Sequence, residues 1–118
     1  MMTRFSLLNI IYTNAMTASV AFYEALGLDR KIAGEVDPWW NEFTLDHAAL
    51  ALHWNEGREF PTTSNPELHL QVAADEFDAV YDAVASIQPS GMQELEGLGR
   101  YFVLTDPNGV RVQINEVN

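Results

Sequence analysis

The chain has 118 residues, of which 47% are hydrophobic, no cysteine, and a formal charge of -11. Its length fits one domain. Its apolar runs are shorter than the roughly 20 residues of a membrane span, and its N-terminal residues do not show the pattern of a signal peptide. We therefore expect a cytoplasmic protein without a membrane partner. The lack of cysteine excludes disulfides, thiolate metal sites and a cysteine nucleophile, while the negative charge disfavours nucleic acid and attracts small cations.

The first half of the chain is predicted to form a strand, a helix and three short strands. Phe5 to Tyr12 is rich in Leu and Ile, which is typical of a strand. Apolar residues recur at helical spacing from Ala18 to Leu26, and Gly27 follows where a left-handed C-cap is needed. The three short strands are predicted at Lys31 to Val36, Trp40 to Leu45 and Ala49 to Trp54.

The second half repeats this order after a polar linker that contains two prolines, Glu59 to Pro66. A strand is predicted first, then a helix with one apolar face, then three strands. The ranges are Glu67 to Val72, Asp75 to Ile87, Met92 to Leu95, Tyr101 to Leu104 and Val110 to Val117. We therefore divide a single domain, residues 1–118, into module one (1–58), the linker (59–66) and module two (67–118).

The two halves also resemble each other in their letters. His53 to Glu56 (HWNE) precedes Gln113 to Glu116 (QINE) by sixty positions, and Phe22 to Ala25 (FYEA) resembles Val80 to Ala83 (VYDA). A period of about sixty exceeds the roughly 20 to 50 residues of stacked repeats, so we interpret it as a duplicated module within one domain. Two such copies are expected to share one core.

The segment Ser19 to Leu28 (SVAFYEALGL), the mid-chain loop and the turn Asp106 to Gly109 (DPNG) before a closing strand resemble the vicinal oxygen chelate superfamily. This superfamily includes lactoylglutathione lyase, extradiol dioxygenases and bleomycin-resistance proteins. The resemblance covers nearly the whole chain. It implies an α+β fold in which two paired βαβββ modules form a curved mixed sheet around a cleft, commonly completed in a homodimer. The linker is compatible with modules that pair within a chain or exchange between subunits.

Strand alternation predicts which side chains face this cleft, because successive residues of a strand point to opposite sides. In module one these are Leu8, Ile10, Tyr12, Ala49, Ala51 and His53. In module two they are Glu67, His69, Gln71, Arg111, Gln113 and Asn115. One of the adjacent residues Trp39 and Trp40 must also point away from the core, and the sequence leaves open which of them does.

Metal-using relatives carry their ligands on the first and last strands of each module. The resemblance places these positions at Leu8, His53 or Ala51, Glu67 and Gln113. A leucine cannot bind a metal, and an amide binds one less well than a carboxylate. We therefore expect no metal and no cofactor; the alternative is a divalent ion on His53, Glu67 and Gln113.

These residues predict a small-molecule-binding protein similar to bleomycin-resistance proteins, which sequester a cationic or aromatic antibiotic-like compound without chemistry. Leu8, Ile10 and Ala51 would line the cleft. Tyr12 and either Trp39 or Trp40 would stack on the ligand. Four polar side chains would orient the ligand: His53, Glu67, His69 and Gln113. Arg111 is expected to form a salt bridge at the rim; if it enters the cleft, it would pair with Glu67 or with a carboxylate of the ligand. Two alternatives stay open: a metal-dependent lyase, isomerase or dioxygenase acting on vicinal oxygens, and a dimeric structural protein without a ligand.

Overall fold

A computed structural model describes residues 6–59, 67–97 and 99–117 of the chain. Apart from Glu59, the predicted linker lies outside these residues. The elements, in chain order, are β1 (Leu7–Thr13), α1 (Met16–Leu26), β2 (Asp29–Arg30), β3 (Trp40–Leu45), β4 (Ala48–Trp54), β5 (Glu67–Ala73), α2 (Ala74–Ala83), a 3-10 turn (Ala85–Ile87), β6 (Gln93–Leu95), β7 (Gly99–Thr105) and β8 (Arg111–Val117). Neither of these two α-helices combines the length and hydropathy that a membrane span requires.

Each module folds into its own four-stranded mixed sheet. The strand orders are β1-β4-β3-β2 and β5-β8-β7-β6. In both sheets the first and last strands of the module pair in parallel, and the remaining pairs are antiparallel. This confirms the predicted α+β fold of two βαβββ modules.

The strand predicted at Lys31 to Val36 is wrong, because the pairing with β3 ends at Lys31, whose backbone N–H donates to the Glu42 oxygen at 2.8 Å. The Arg30 guanidinium donates hydrogen bonds to the backbone oxygens of Gly34 and Glu35, at 2.6 and 3.5 Å. Gly34 has a φ of 108°, which a strand does not contain. This segment is therefore closed into a loop around its own arginine.

The second predicted helix is shorter than expected. It ends at Ala83, and the chain continues as the 3-10 turn, Ala85–Ile87. Gln88 then adopts a left-handed conformation with a φ of 55°. Because Pro89 disfavours the right-handed helical conformation in the residue before it, the helix cannot run on through Gln88.

Both modules contribute to one hydrophobic core, as the duplicated sequence predicts. A single cluster of buried side chains contains Tyr23 and Phe43 from module one and Phe77 and Phe102 from module two. The rings of Tyr23 and Phe43 are 5.9 Å apart, and those of Phe77 and Phe102 are 5.5 Å apart. Helix α1 of module one also contacts α2 and the 3-10 turn of module two, so the two modules pack against each other within one chain.

The turn Asp106–Gly109 sets the register of β8 and also joins the two modules. The Oδ1 atom of Asp106 accepts hydrogen bonds from the backbone N–H groups of Asn108 and Val110, at 2.7 and 2.8 Å. Its Oδ2 accepts the hydroxyl hydrogen of Tyr23 on α1, at 2.9 Å. Burial of Tyr23, together with the Asp106 carboxylate, raises the pKa of this phenol. The DPNG motif is thus a structural junction.

Asn108 extends this junction to the end of β1. Its Nδ2 atom donates to the Ser19 hydroxyl at 3.0 Å, and its Oδ1 accepts a hydrogen bond from the Thr13 hydroxyl. Thr13 and Ser19 are both fully buried, and their hydroxyl oxygens lie 2.9 Å apart. Buried hydroxyl groups are therefore satisfied across the boundary between the modules.

Arg100 on β7 joins α2 to the second sheet. Its backbone N–H, Nε and Nη2 atoms all donate to the Glu116 carboxylate on β8, at distances from 2.7 to 3.1 Å. Its Nη1 donates to Asp78 on α2 at 2.9 Å, and the guanidinium lies 4.8 Å from the centre of the Phe77 ring. The hydrogen bonds from Arg100 hold the pKa of Glu116 below its usual 4.5.

The Glu116→Gln variant is expected to lose less stability than the wild type when the pH is lowered. Because the folded pKa of Glu116 lies below its unfolded value, its carboxylate stabilises the fold above the unfolded pKa, and this stabilisation is lost as the pH falls through the folded pKa. Melting temperatures followed by circular dichroism should therefore fall less steeply below pH 4.5 for Glu116→Gln than for the wild type. Glu96→Gln, at an exposed turn, should keep the wild-type slope. Equal slopes for Glu116→Gln and the wild type would contradict this account.

Candidate functional site

Each sheet has one side against the hydrophobic core, and we call the opposite side its open face. The strand register assigns nine residues to the open face of sheet one: Leu8, Ile10, Tyr12, Trp40, Glu42, Thr44, Ala49, Ala51 and His53. It assigns nine residues of strands β5, β7 and β8 to that of sheet two: Glu67, His69, Gln71, Tyr101, Val103, Thr105, Arg111, Gln113 and Asn115. The alternation predicted from the sequence is therefore confirmed in both modules.

The two sheets approach each other along strands β1 and β5. A small cavity of about 60 Å³ lies between these strands, and Ile10 and Glu67, one from each open face, both line it. Residues of the two modules thus meet around this cavity.

An aromatic triad, Tyr12, Trp40 and His53, occupies one end of the open face of sheet one. The His53 ring lies 4.9 Å from the Tyr12 ring and 5.9 Å from the Trp40 ring, measured between centroids. Tyr12 is 48% exposed and Trp40 is 36% exposed. The triad therefore presents large aromatic surfaces to the outside of the sheet.

The Nδ1 atom of His53 lies 2.7 Å from the backbone oxygen of Trp54. This contact holds the imidazole in place between the two neighbouring rings.

The aliphatic residues predicted to line the cleft differ in exposure. Leu8 and Ile10 are 45% and 40% exposed on β1. Ala51 lies beside Ile10 in the register but is fully buried, because neighbouring side chains cover its methyl group. Direct contact between Ala51 and a ligand therefore requires those neighbours to move.

The structure distinguishes the two adjacent tryptophans. Trp40 lies on the open face, opposite His53 in the register. Trp39 packs edge-on against Trp54, with ring centroids 4.7 Å apart, and Trp54 contacts the core. Trp39 also lines a separate cavity near the start of α1, beside Met16. Trp39 is thus set apart from the other predicted ligand-binding residues.

Five side chains on the open face of sheet two form a closed ring of hydrogen bonds, which we call the polar ring: Glu67, His69, Arg111, Gln113 and Asn115. Arg111 donates from Nη1 to the Glu67 carboxylate and to Gln113 Oε1, the latter at 2.7 Å. Gln113 donates to Asn115 Oδ1 at 2.8 Å, and the Asn115 amide lies 3.1 Å from His69 Nδ1. His69 Nε2 closes the ring to Glu67 at 3.0 Å.

The ring stabilises the charged form of Glu67. The hydrogen bond from His69, aided by the nearby Arg111, lowers the pKa of Glu67 below its usual value. The sequence predicts Arg111 and Asn115 on this face but not among the ligand-binding residues, and the expected pairing of Arg111 with Glu67 is confirmed. The strand alternation that selected Gln113 also identifies these two, since all three lie on the same side of β8.

The residues implied for a metal do not fit a divalent ion. The Arg111 guanidinium already donates to both Glu67 and Gln113, so a positive charge is bound to two of the three proposed donors. The third, His53, contacts the Trp54 backbone oxygen through Nδ1 and keeps Nε2 available, so it is the one proposed donor that Arg111 leaves unoccupied. In the part of the chain that the structure describes, no three His, Asp or Glu side chains come together as a metal site.

A cavity of about 490 Å³ lies beside Trp40, between the loop after β2 and strand β3. Its apolar lining includes Ile32, Val36 and Pro38. On its polar side the Lys31 ammonium lies 3.6 Å from the Glu42 carboxylate. This volume is within the range of pockets for small organic ligands.

The sequence model of the Glyoxalase/Bleomycin resistance protein/Dioxygenase superfamily matches residues 5–114 of this chain. Comparison with curated proteins gives no match. Similar solved structures include the bleomycin-binding protein of bleomycin-producing Streptomyces verticillus complexed with copper(II)-bleomycin, at 17% identity and a TM-score of 0.73, with 100% of both chains covered.

Two further solved structures are similar. Lactoylglutathione lyase from Agrobacterium tumefaciens is 18% identical with a TM-score of 0.64, covering 97% of this chain and 94% of its own. A glyoxalase/dioxygenase from Nostoc punctiforme is 20% identical with a TM-score of 0.75, covering 94% and 89%. At these identities the likeness shows a common fold and leaves the ligand to be argued from the site.

Proposed function

Because this chain belongs to the Glyoxalase/Bleomycin resistance protein/Dioxygenase superfamily, we propose that it binds a cationic aromatic small molecule on its open faces, without a metal ion and without converting it. The observation that carries this proposal is the aromatic triad, in which Tyr12 and Trp40 are partly exposed on a sheet surface. A chain of formal charge -11 adds a field that attracts cations to these rings.

Stacking and cation–π attraction supply the recognition. An ammonium or planar cation over an indole or phenol ring is held by the negative face of the ring, and Trp is the strongest such partner. The exposed side chains of Leu8 and Ile10 add apolar contact next to the triad. Binding of this kind removes a toxic compound from solution, which suits a role in antibiotic sequestration.

Arg111 supports a function without a metal. Its guanidinium supplies a fixed positive charge between Glu67 and Gln113, where the metal-dependent alternative would need a divalent ion. A metal-dependent lyase, isomerase or dioxygenase would have to displace this side chain before it could bind its ion. The polar ring is better suited to orienting polar groups of a ligand through hydrogen bonds.

Trp40→Ala is expected to weaken binding of a naphthylethylammonium cation by about tenfold or more, because it removes the most cation-attracting ring of the triad. The affinity is measured by isothermal titration calorimetry on the whole chain. Trp39→Ala is the matched control, since Trp39 is an exposed tryptophan that contacts Trp54 instead of the triad. Equal losses in the two variants would contradict a site on the open face, and circular dichroism confirms that both fold.

We also propose that the chain forms a homodimer in which a second copy borders the open face of sheet one, so that Leu8 and Ile10 contact both the second copy and the ligand. Exposed Leu8 and Ile10 support this, because removing apolar side chains from water stabilises an interface. Sedimentation at micromolar concentration should give a dimer for the wild type and a monomer for Ile10→Glu. A wild-type monomer would contradict the dimer, and a dimer that binds no tested cation would favour a structural role without a ligand.

A further inference from the structure

His53 presents a hydrogen-bond acceptor within the aromatic triad. A backbone carbonyl can only accept, so the 2.7 Å contact with the Trp54 oxygen requires the hydrogen to be on His53 Nδ1. In the neutral imidazole this leaves a lone pair on Nε2, at the edge of the ring away from that carbonyl. No hydrogen bond joins Nε2 to another residue within the described ranges. The triad therefore combines two cation-attracting rings with an unshared nitrogen lone pair on His53, beside the Tyr12 hydroxyl oxygen, which can also accept a hydrogen bond.

This combination distinguishes between kinds of organic cation. A quaternary ammonium has no N–H group and interacts with Tyr12 and Trp40 through the charge alone. An ammonium that keeps an N–H group makes the same contacts and can also donate a charge-assisted hydrogen bond to His53 Nε2. The part of this difference in affinity that disappears when the His53 lone pair is removed therefore measures the contribution of the histidine.

We infer that the cation bound on the open face is a protonated amine with at least one N–H group, which it donates to His53 Nε2. This inference rests on the proposed function, because it specifies the cation that the same face binds. The aromatic part of the ligand extends past Trp40 into the cavity of about 490 Å³, whose apolar side contains Ile32, Val36 and Pro38. The ligand class is thus an aryl-substituted primary, secondary or tertiary amine.

The test is a series of four naphthylethylammonium cations that carry zero, one, two or three N-methyl groups. All four are positively charged near neutral pH, and calorimetry on the wild-type chain gives their affinities. We expect similar affinities for the first three and a fall of about tenfold at the quaternary compound, because one N–H group is enough for the hydrogen bond. Size and hydration change gradually along the series, so an abrupt change at the last N–H group identifies the hydrogen bond.

Two variants test whether His53 is the acceptor. His53→Phe keeps an aromatic ring but removes the lone pair, so it should bind all four cations about as well as the wild type binds the quaternary one. His53→Gln keeps an acceptor oxygen and should retain part of the difference. Circular dichroism confirms folding of each variant, and the wild-type series tests the inference even if a variant fails to fold.

The outcomes separate this inference from the proposed function. A gradual decline along the series in the wild type, or an unchanged abrupt fall in folded His53→Phe, would overturn the inference and leave cation binding in place. Failure of all four compounds to bind would overturn both.

Discussion

Asp106→Ala is expected to lower the free energy of unfolding by about 3 kcal/mol, because it leaves several buried hydrogen-bond donors without their acceptor. The carboxylate accepts from the hydroxyl of Tyr23 and from the backbone N–H groups of Asn108 and Val110. Tyr23 is fully buried, so no water replaces the lost partner without a rearrangement of the core. Since these bonds also link α1 to the β7–β8 turn, the packing between the modules should loosen.

Urea denaturation followed by circular dichroism measures this loss. Asp46→Ala is the matched control, because the Asp46 side chain is 94% exposed and its removal should change stability by less than about 0.5 kcal/mol. Asp106→Asn keeps one acceptor oxygen for the backbone donors and should lose less than Asp106→Ala. A loss in Asp106→Ala no larger than in Asp46→Ala would show that the junction contributes little to stability.

The double variant Arg111→Ala, Gln113→Glu is expected to convert the polar ring into a site that binds a divalent metal. Removing the guanidinium frees the Glu67 carboxylate, and the new glutamate replaces a weak amide donor by a second carboxylate. The His69 imidazole, which already contacts Glu67, supplies a nitrogen donor. After desalting, metal analysis should find Zn²⁺ bound to the double variant and none retained by the wild type.

Arg58→Ala, Gln113→Glu is the control for net charge, because Arg58 is exposed and pairs with Glu56 away from the polar ring. This variant changes the charge equally but keeps Arg111, so it should not retain Zn²⁺. A stoichiometric divalent ion in the wild type that disappears in His53→Ala would instead overturn the proposal of a metal-free protein. That result would favour the metal-dependent enzyme.

Much of the fold could be predicted because the relevant signals are local. Alternation in β5 and β8 assigned Glu67 and Gln113 to the open face, and the observed register agrees. The prediction failed at Lys31 to Val36, where Arg30 folds the following segment around its own guanidinium. Strands are predicted from the pattern of hydrophobic residues, and that pattern does not reveal hydrogen bonds from an arginine side chain to the backbone.

The site was less predictable than the fold, because it depends on contacts between residues far apart in sequence. The sequence alone could not show which of the adjacent residues Trp39 and Trp40 lies on the open face. The contact of Trp39 with Trp54 shows that it is Trp40. The polar ring closes only when strands β5 and β8 pair, since Arg111 and Glu67 are 44 residues apart. Whether the named residues bind a ligand stays a prediction, as do the homodimer and the cytoplasmic location.

The two modules use one backbone plan to present opposite chemistry. Ala51 and His53 correspond to Arg111 and Gln113 sixty positions later, so a buried methyl group in one module takes the place of a guanidinium in the other. A long molecule lying across β1 and β5 would therefore meet an apolar, aromatic surface at one end and a hydrogen-bonding surface at the other. The two ends of such a surface are therefore not equivalent. A ligand bound in the opposite orientation would place its polar groups against apolar side chains. The duplication of the fold has thus produced a surface that can distinguish the two ends of an asymmetric ligand.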